Sequence, residues 1–318
     1  AMTTKKGITW DLAFFKKNIA LILFLALLIF NITATSNFLS WITFNNFFKQ
    51  VSRVCLVSLG MSLVIATGGI DISVGSAMAL GSVLAALGIV HESPILILFS
   101  VILVIGFSCL AGVAVSKFAI LPMVATLALR YVMRGMAKGI SGAANVTYTA
   151  PKLTAFFTQP VVGRIPVHFF ILVIAVVVVY ILVNKMKLGA RIEAYGNNPV
   201  AARNCGINTV KIVIFCYMVT GALSWAAGIL EAVVVSSAHP STIGTDMEID
   251  AIAATLIGGT PIDGGYPNII GTTCGAFLLQ LISMMCNMNN VSYPVTLMLK
   301  AGIVLAALYF HGIGKRSR

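Results

Sequence analysis

About ten runs of apolar residues, each close to twenty residues long, follow one another along this chain, and no other feature restricts its fold as much. The hydrocarbon core of a bilayer is about 30 Å thick, which a helix crosses with roughly 20 residues. Inside that core each backbone N–H and C=O must find a partner within the chain, so apolar runs of this length are read as helices. They lie near residues 19–35, 49–67, 72–90, 95–116, 122–140, 165–184, 212–236, 248–260, 268–289 and 292–310. Residues 36–48, SNFLSWITFNNFF, mix aromatics with Asn and Ser and read as an interfacial segment. With 59% hydrophobic and 9% charged residues among 318, a soluble core would leave a large apolar surface in water. The expected fold class is an all-α polytopic membrane protein of about ten transmembrane helices, a single transmembrane domain over residues 1–318.

The formal net charge of +12 does not point to nucleic acid, because the basic residues are scattered between apolar runs and form no patch interleaved with aromatics. They read instead as topology signals. With an even number of spans both termini share a side. Lys5, Lys6, Lys16, Lys17, Lys117, Lys185, Lys187, Arg191, Arg203, Lys211, Lys315, Arg316 and Arg318 then fall on that side, against Lys49, Arg53, Lys138, Lys152 and Arg164 on the other. This excess puts both termini in the cytoplasm. Lysines precede the first apolar run and no A-x-A exit follows it, so that run is expected to stay as an anchor. Residues 141–164, with Pro151 and Pro160, are expected as an outward-facing cap. The six cysteines lie mostly in apolar segments without C-x-x-C spacing and read as small apolar packers.

Three polar interruptions stand out. The longest, Lys185–Lys211, is then the largest cytoplasmic loop; it holds Gly196 in a turn and the helix-like PVAAR at Pro199–Arg203, and is either a docking surface or a plain loop. In Gly68–Ser76, paired glycines end one helix, and Asp71 or Ser73 either caps the next or borders a water-filled break. In Gly258–Gly265, four glycines and Pro261 stop a helix, so the chain turns or re-enters. Gly69–Gly81 also resembles Glu248–Gly259, with Ile-Asp near the start of each. This is either an inverted repeat, with halves near 49–140 and 212–310 around a coupling loop 185–211, or a coincidence among Gly/Ala-rich helices. Arg130, Arg134 and Lys300 sit within apolar runs, where ionisable groups face protein or water or reach for the interface. His91, His168, His239 and His311 are isolated, so no metal site is expected. No catalytic constellation is visible and no Walker A lysine follows the glycines, so the chain is expected to be no enzyme.

Three stretches in order, GGIDISVGS at Gly68–Ser76, EAYGNNPVAARNCGIN at Glu193–Asn208 and EIDAIAATLIGGTPIDGG at Glu248–Gly265, resemble the permease subunits of bacterial ABC sugar importers of the ribose and galactofuranose branch. The resemblance implies a fold similar to the vitamin B12-type (type II) importers. It also implies a second permease, as copy or paralogue, two cytosolic ATP-binding subunits that hold ATP and Mg, and a periplasmic or surface-tethered sugar-binding protein. This chain itself would bind no cofactor. The implied ATPase-coupling residues are Glu193, Gly196, Asn197, Pro199, Ala201, Ala202, Arg203 and Gly206, with Gly196 and Pro199 shaping the turn into the coupling helix. Gly68, Gly69, Asp71, Ser73, Asp250, Gly258 and Gly259 mark the translocation path or its helix breaks. Two departures stand out, Ile72 where the family often carries Leu, and Thr260-Pro261-Ile262 in place of a Ser-rich stretch. The implied function is uptake of a pentose or a furanose-form hexose. The alternatives are a nucleoside or sugar-like signalling molecule as solute, or a lone ion-coupled secondary transporter with Asp71 and Asp250 as coupling carboxylates.

Overall fold

The computed structural model describes residues 19–35, 38–162 and 165–315, so Lys5, Lys6, Lys16, Lys17, Arg164, Arg316 and Arg318 lie outside the described residues. The helices, in chain order, are α1 (Ile19–Ala34), α2 (Trp41–Ala66), α3 (Val74–Val90), α4 (Pro94–Ser116), α5 (Pro122–Ile140), α6 (Pro151–Thr158), α7 (Val167–Asn184), α8 (Lys187–Asn197), α9 (Pro199–Asn204), α10 (Thr209–Val235), α11 (Met247–Ile257), α12 (Ile269–Met288) and α13 (Tyr293–Lys315). α2, α4, α7, α10 and α12 are long and apolar enough to cross a membrane, and shorter apolar stretches occupy α1, α3 and α13. α11 has only 11 residues, because Gly258 and Gly259 end it. The chain is thus a mostly helical polytopic membrane protein.

Two expectations are corrected. Residues 41–48 are not a separate interfacial segment but the first turns of α2, begun at Ser40, whose side chain accepts the Ile42 N–H. Their aromatic rings have packing partners: Phe47 meets Phe277 of α12 edge-on at 5.7 Å between ring centroids, and Phe24 of α1 meets the same ring at 6.0 Å. The fold is also not wholly helical. Strand β1 (Val146–Thr147) pairs antiparallel with β4 (Ser237–Ala238), and β2 (Pro160–Val162) with β3 (Ile165–Pro166). The first pair ties the segment after α5 to the end of α10.

α2 is the central helix. From Val51 to Ala66 only Arg53 is not buried, and a helix apolar on all sides belongs inside a bundle. α10 lies against it at backbone contact: a Cβ on Gly60 would sit 2.7 Å from the Thr220 Cα. On its other side α10 brings Gly228 against the backbone of Met78 in α3, where a Cβ would come within 2.4 Å of the Met78 carbonyl. In lipid, where apolar burial between helices gains little, such small-residue contacts let dispersion between backbones hold the bundle. Two buried hydroxyls at this seam turn back on their own helix carbonyls; Ser58 donates to Val54 O and Thr220 to Cys216 O, so neither is buried unpaired.

Candidate functional site

The first helix break is built by glycine geometry. Gly68 adopts φ +75°, and the Gly68 and Gly69 N–H groups donate to Ile65 O (2.8 Å) and Val64 O (3.1 Å), closing α2 with a Schellman turn. That pattern leaves the Ala66 carbonyl without a partner in its own helix. Beyond the turn, buried Asp71 accepts from the Ser73 N–H (2.9 Å) and hydroxyl (2.6 Å). Asp71 therefore shapes the turn into α3, and Ser73, the residue before the helix, makes no side-chain cap bond. Thr126 of α5 accepts the Ile72 N–H at 3.1 Å and so braces the same turn.

The second break repeats the device. Gly259 has φ +86°, and the Gly259 and Thr260 N–H groups donate to Leu256 O (3.0 Å) and Thr255 O (3.2 Å). Asn268 closes the loop that follows: its side-chain oxygen accepts the Gly271 N–H to start α12, while its amide donates to Gly258 O at 2.8 Å. The Pro261 region is an ordinary turn, with the Gly264 N–H donating to Pro261 O.

The polar stretch Lys185–Lys211 folds as two helices. Asn198 separates them, and its side-chain oxygen accepts the Val200 and Ala201 N–H groups, capping α9 with Pro199 at the first helical position. Gly206, at φ +77°, ends α9 with a third Schellman turn, through Gly206 N–H to Arg203 O and Ile207 N–H to Ala202 O. Ile192 and Ala202 are buried and anchor the pair, while Glu193, Asn197, Pro199, Val200, Ala201 and Arg203 are exposed. Gly196 is not in a turn: it is in the last turn of α8, and the chain changes direction at Asn198. Its smallness serves close approach. A Cβ there would lie 2.1 Å from Ala66 O and 2.4 Å from Gly265 N.

The three stretches therefore meet at one point. The Gly265 N–H donates to the orphan Ala66 carbonyl at 2.9 Å, and Gly196 packs on that hydrogen bond. A Cβ on Gly264 would come within 2.8 Å of Gly196 O. Nearby, the Tyr266 hydroxyl donates to Asn184, the last residue of α7, tying the second break to the start of the polar stretch. A cavity of about 220 Å³ lies beside the joint, lined by Gly68, Gly69, Tyr195 and the α4–α5 turn. Burial raises the Tyr195 phenol above its ordinary pKa.

Arg130, Arg134 and Lys300, singled out within apolar runs, are each engaged. Arg130 pairs with buried Glu248 at 2.5 Å, and Lys300 reaches both Asp250 oxygens at 3.0 and 2.8 Å. Arg134 donates to Pro240 O, Ile243 O and Gly75 O. These contacts tie α5 and α13 to the 239–246 segment and to α11, and each of these three charges meets an opposite charge or a carbonyl. Asp250 accordingly sits in α11 held by Lys300, whereas Asp71 lies in a turn. Of the cysteines, Cys205 departs from the expected buried packing and is exposed at the end of α9. Thr126 and Asn268 escaped the sequence reading; only the side chain of a capping Asn just before an apolar run gave a usable signal at the second.

A bundle of apolar helices with two glycine-ended breaks and an exposed, capped helical loop is the architecture of a polytopic membrane protein. The chain matches the family described as branched-chain amino acid transport system / permease component over residues 42–308, and it belongs to that family. It is 34% identical over 294 residues to the ribose import permease protein RbsC of Escherichia coli (strain K12), covering 91% of each chain. Its identity to the ribose import permease protein RbsC of Bacillus subtilis (strain 168) is 33% over 313 residues, 96% of this chain and 95% of the relative. To the galactofuranose transporter permease protein YtfT of Escherichia coli (strain K12) it is 35% over 265 residues, 82% of this chain and 76% of the relative. No solved structure matches the chain.

Proposed function

We propose that the chain is the membrane-spanning subunit of an ATP-driven importer for a monosaccharide, a pentose or a furanose-form hexose. Similarity to ribose and galactofuranose permeases over most of the chain supports this solute class. In this reading the ten apolar segments near 19–35, 49–67, 72–90, 95–116, 122–140, 165–184, 212–236, 248–260, 268–289 and 292–310 insert in the membrane in an arrangement similar to the vitamin B12-type permeases, with half-repeats near 49–140 and 212–310. A second permease, as copy or paralogue, completes the membrane part. Lys185, Lys187, Arg191, Arg203 and Lys211 gather at the polar loop, which supports a cytoplasmic position for it and for both termini.

One observation carries the mechanism: α8–α9 exposes a capped face while its inner side is in backbone contact with both helix breaks. Cytosolic ATP-binding subunits, holding ATP and Mg, seat on the exposed α9 face around Val200, Ala201 and Arg203. Their closure pushes on α8, and at Gly196 no compressible side chain intervenes. The end of α2 and the 258–265 loop then move with it, an element-against-element shift of the sort packed bundles permit. A sugar-binding protein delivers the solute at the opposite end.

The test is reconstitution in liposomes with cognate ATP-binding subunits and a sugar-binding protein. Ribose, fructose or galactofuranose uptake is expected to require ATP and both partners. Accumulation by the chain alone under an ion gradient would refute the proposal and favour a secondary transporter.

A further inference from the structure

Asp71 stands apart from the other acids of the bundle. Glu231 pairs with Arg53, Glu248 with Arg130 and Asp250 with Lys300, whereas Asp71 is 1% exposed and forms no ion pair among the described residues. Its two hydrogen bonds come from neutral donors, the Ser73 N–H and hydroxyl, and both fall on the same oxygen, Oδ1. The ionisable groups of the elements packed on this turn are Tyr217 of α10, Glu248 of α11, and Arg130 and Arg134 of α5, with Tyr195 and Asp263 at its outer end. Neither arginine serves Asp71: Arg130 is held by Glu248, and Arg134 donates to three carbonyls.

A carboxylate removed from water is costly unless a cation faces it, and two bonds from neutral donors offset that cost only in part. A neutral acid avoids it. The carbonyl oxygen of the acid accepts both Ser73 bonds as a carboxylate would, so Oδ1 keeps its partners while Oδ2 carries the proton. The same turn offers an oxygen to receive that proton. The Tyr217 hydroxyl is buried without a hydrogen-bond partner and lies 2.9 Å from a Cβ placed on Gly69. Burial raises the Asp71 pKa above the ordinary carboxylate range, by more than the Ser73 bonds lower it, and the Glu248 carboxylate adds to the rise. A proton needs no cavity of its own, and the cavity lined by Gly68 and Gly69 brings water to within a few residues of the acid.

We propose that Asp71 binds a proton at neutral pH and stands in the first helix break as the neutral acid. This makes the break sensitive to pH: a conformation in which the turn takes up water lets the acid ionise, so acidic pH favours the closed turn and alkaline pH the hydrated one. The turn follows directly on the end of α2 that meets Gly196. Where the cytosolic loop moves that end, as proposed above, release of this proton accompanies the motion. The proton site itself is independent of which solute the chain carries.

Asp71→Asn tests the site, because the Asn carbonyl accepts both Ser73 bonds and its NH₂ group donates where the acid O–H does. In the full chain held in lipid nanodiscs at pH 7, infrared spectroscopy should show a carboxylic-acid carbonyl stretch that Asp71→Asn removes. Stability should also follow pH with a fixed sign. The unfolded acid titrates near pH 4, at about 3.9, and the folded one above 7, so the stability that the proton brings is full below the unfolded value and is lost as pH rises through the folded one. From pH 5 to 7 the wild-type unfolding midpoint should therefore drop by about 3 °C or more relative to Asp71→Asn, and at pH 7 the variant should be the more stable of the two. A wild-type spectrum without an acid band that depends on Asp71 would overturn the site. So would an Asp71→Asn chain that is less stable than wild type at pH 7 or that fails to fold, since either shows that the carboxylate charge is needed.

Discussion

Replacing Gly196 with alanine probes the joint most directly. The added Cβ would lie 2.1 Å from Ala66 O and 2.4 Å from Gly265 N, whereas ordinary contact begins near 3.4 Å. Both neighbours are backbone, and they are hydrogen-bonded to each other, so no side chain can swing aside. α8 must lift by roughly 1 Å, which forfeits a large part of the dispersion contact at the seam. Overpacking of this kind costs about 1–3 kcal/mol. Parting Gly265 from Ala66 adds about 1 kcal/mol, so a destabilisation of about 2–4 kcal/mol is expected, seen as a thermal midpoint lower by about 5 °C or more. The functional readout is sugar taken up per ATP hydrolysed by the reconstituted transporter, expected to fall at least tenfold while hydrolysis continues. Gly106→Ala in α4 is the matched control, since no atom lies within 4 Å of a Cβ there. Arg203→Glu, on the exposed face of α9, should lower the same ratio without moving the midpoint. If Gly196→Ala keeps both the wild-type midpoint and the wild-type uptake per ATP, the joint does not transmit motion.

Two further outcomes follow from the same geometry. A cysteine at Asn197, exposed at the end of α8, should react with an impermeant thiol reagent only from the cytoplasm; Cys205 is exposed in the same loop, so the experiment needs a Cys205→Ser background, and labelling of intact cells would overturn the orientation. Lys300→Met strands Asp250, whose pair is 13% and 24% exposed on its two sides. Breaking a fully buried pair costs 3–5 kcal/mol, so about 2–3 kcal/mol is expected here, with at least half recovered in Lys300→Met/Asp250→Asn; equal unfolding midpoints for single and double variants would show that the pair contributes nothing.

Much of this architecture is local and therefore legible in the sequence. Apolar length places the longer helices to within a few residues at most ends, since a segment of that composition has no other way to satisfy its backbone in lipid. The paired glycines at Gly68 and Gly258, and Pro199 after Asn198, mark helix ends because their effects act on neighbouring residues alone. Aromatic residues 41–48 were harder to read: a polar, aromatic helix start and an interfacial segment share one composition, and only Phe277 and Phe24 across the bundle distinguish them.

Local chemistry along the chain thus specifies the set of helices, their breaks and one polar helical loop. Which residues meet is a matter of packing. Glycine looks the same in a turn as in a crowded helix, so Gly196 acquires its meaning only from Ala66 and Gly265, residues remote in the chain. The charges in the apolar runs likewise demanded partners from the start, but whether Arg130 would find Glu248, and Lys300 Asp250, depended on helices packing side by side, which no local signal encodes.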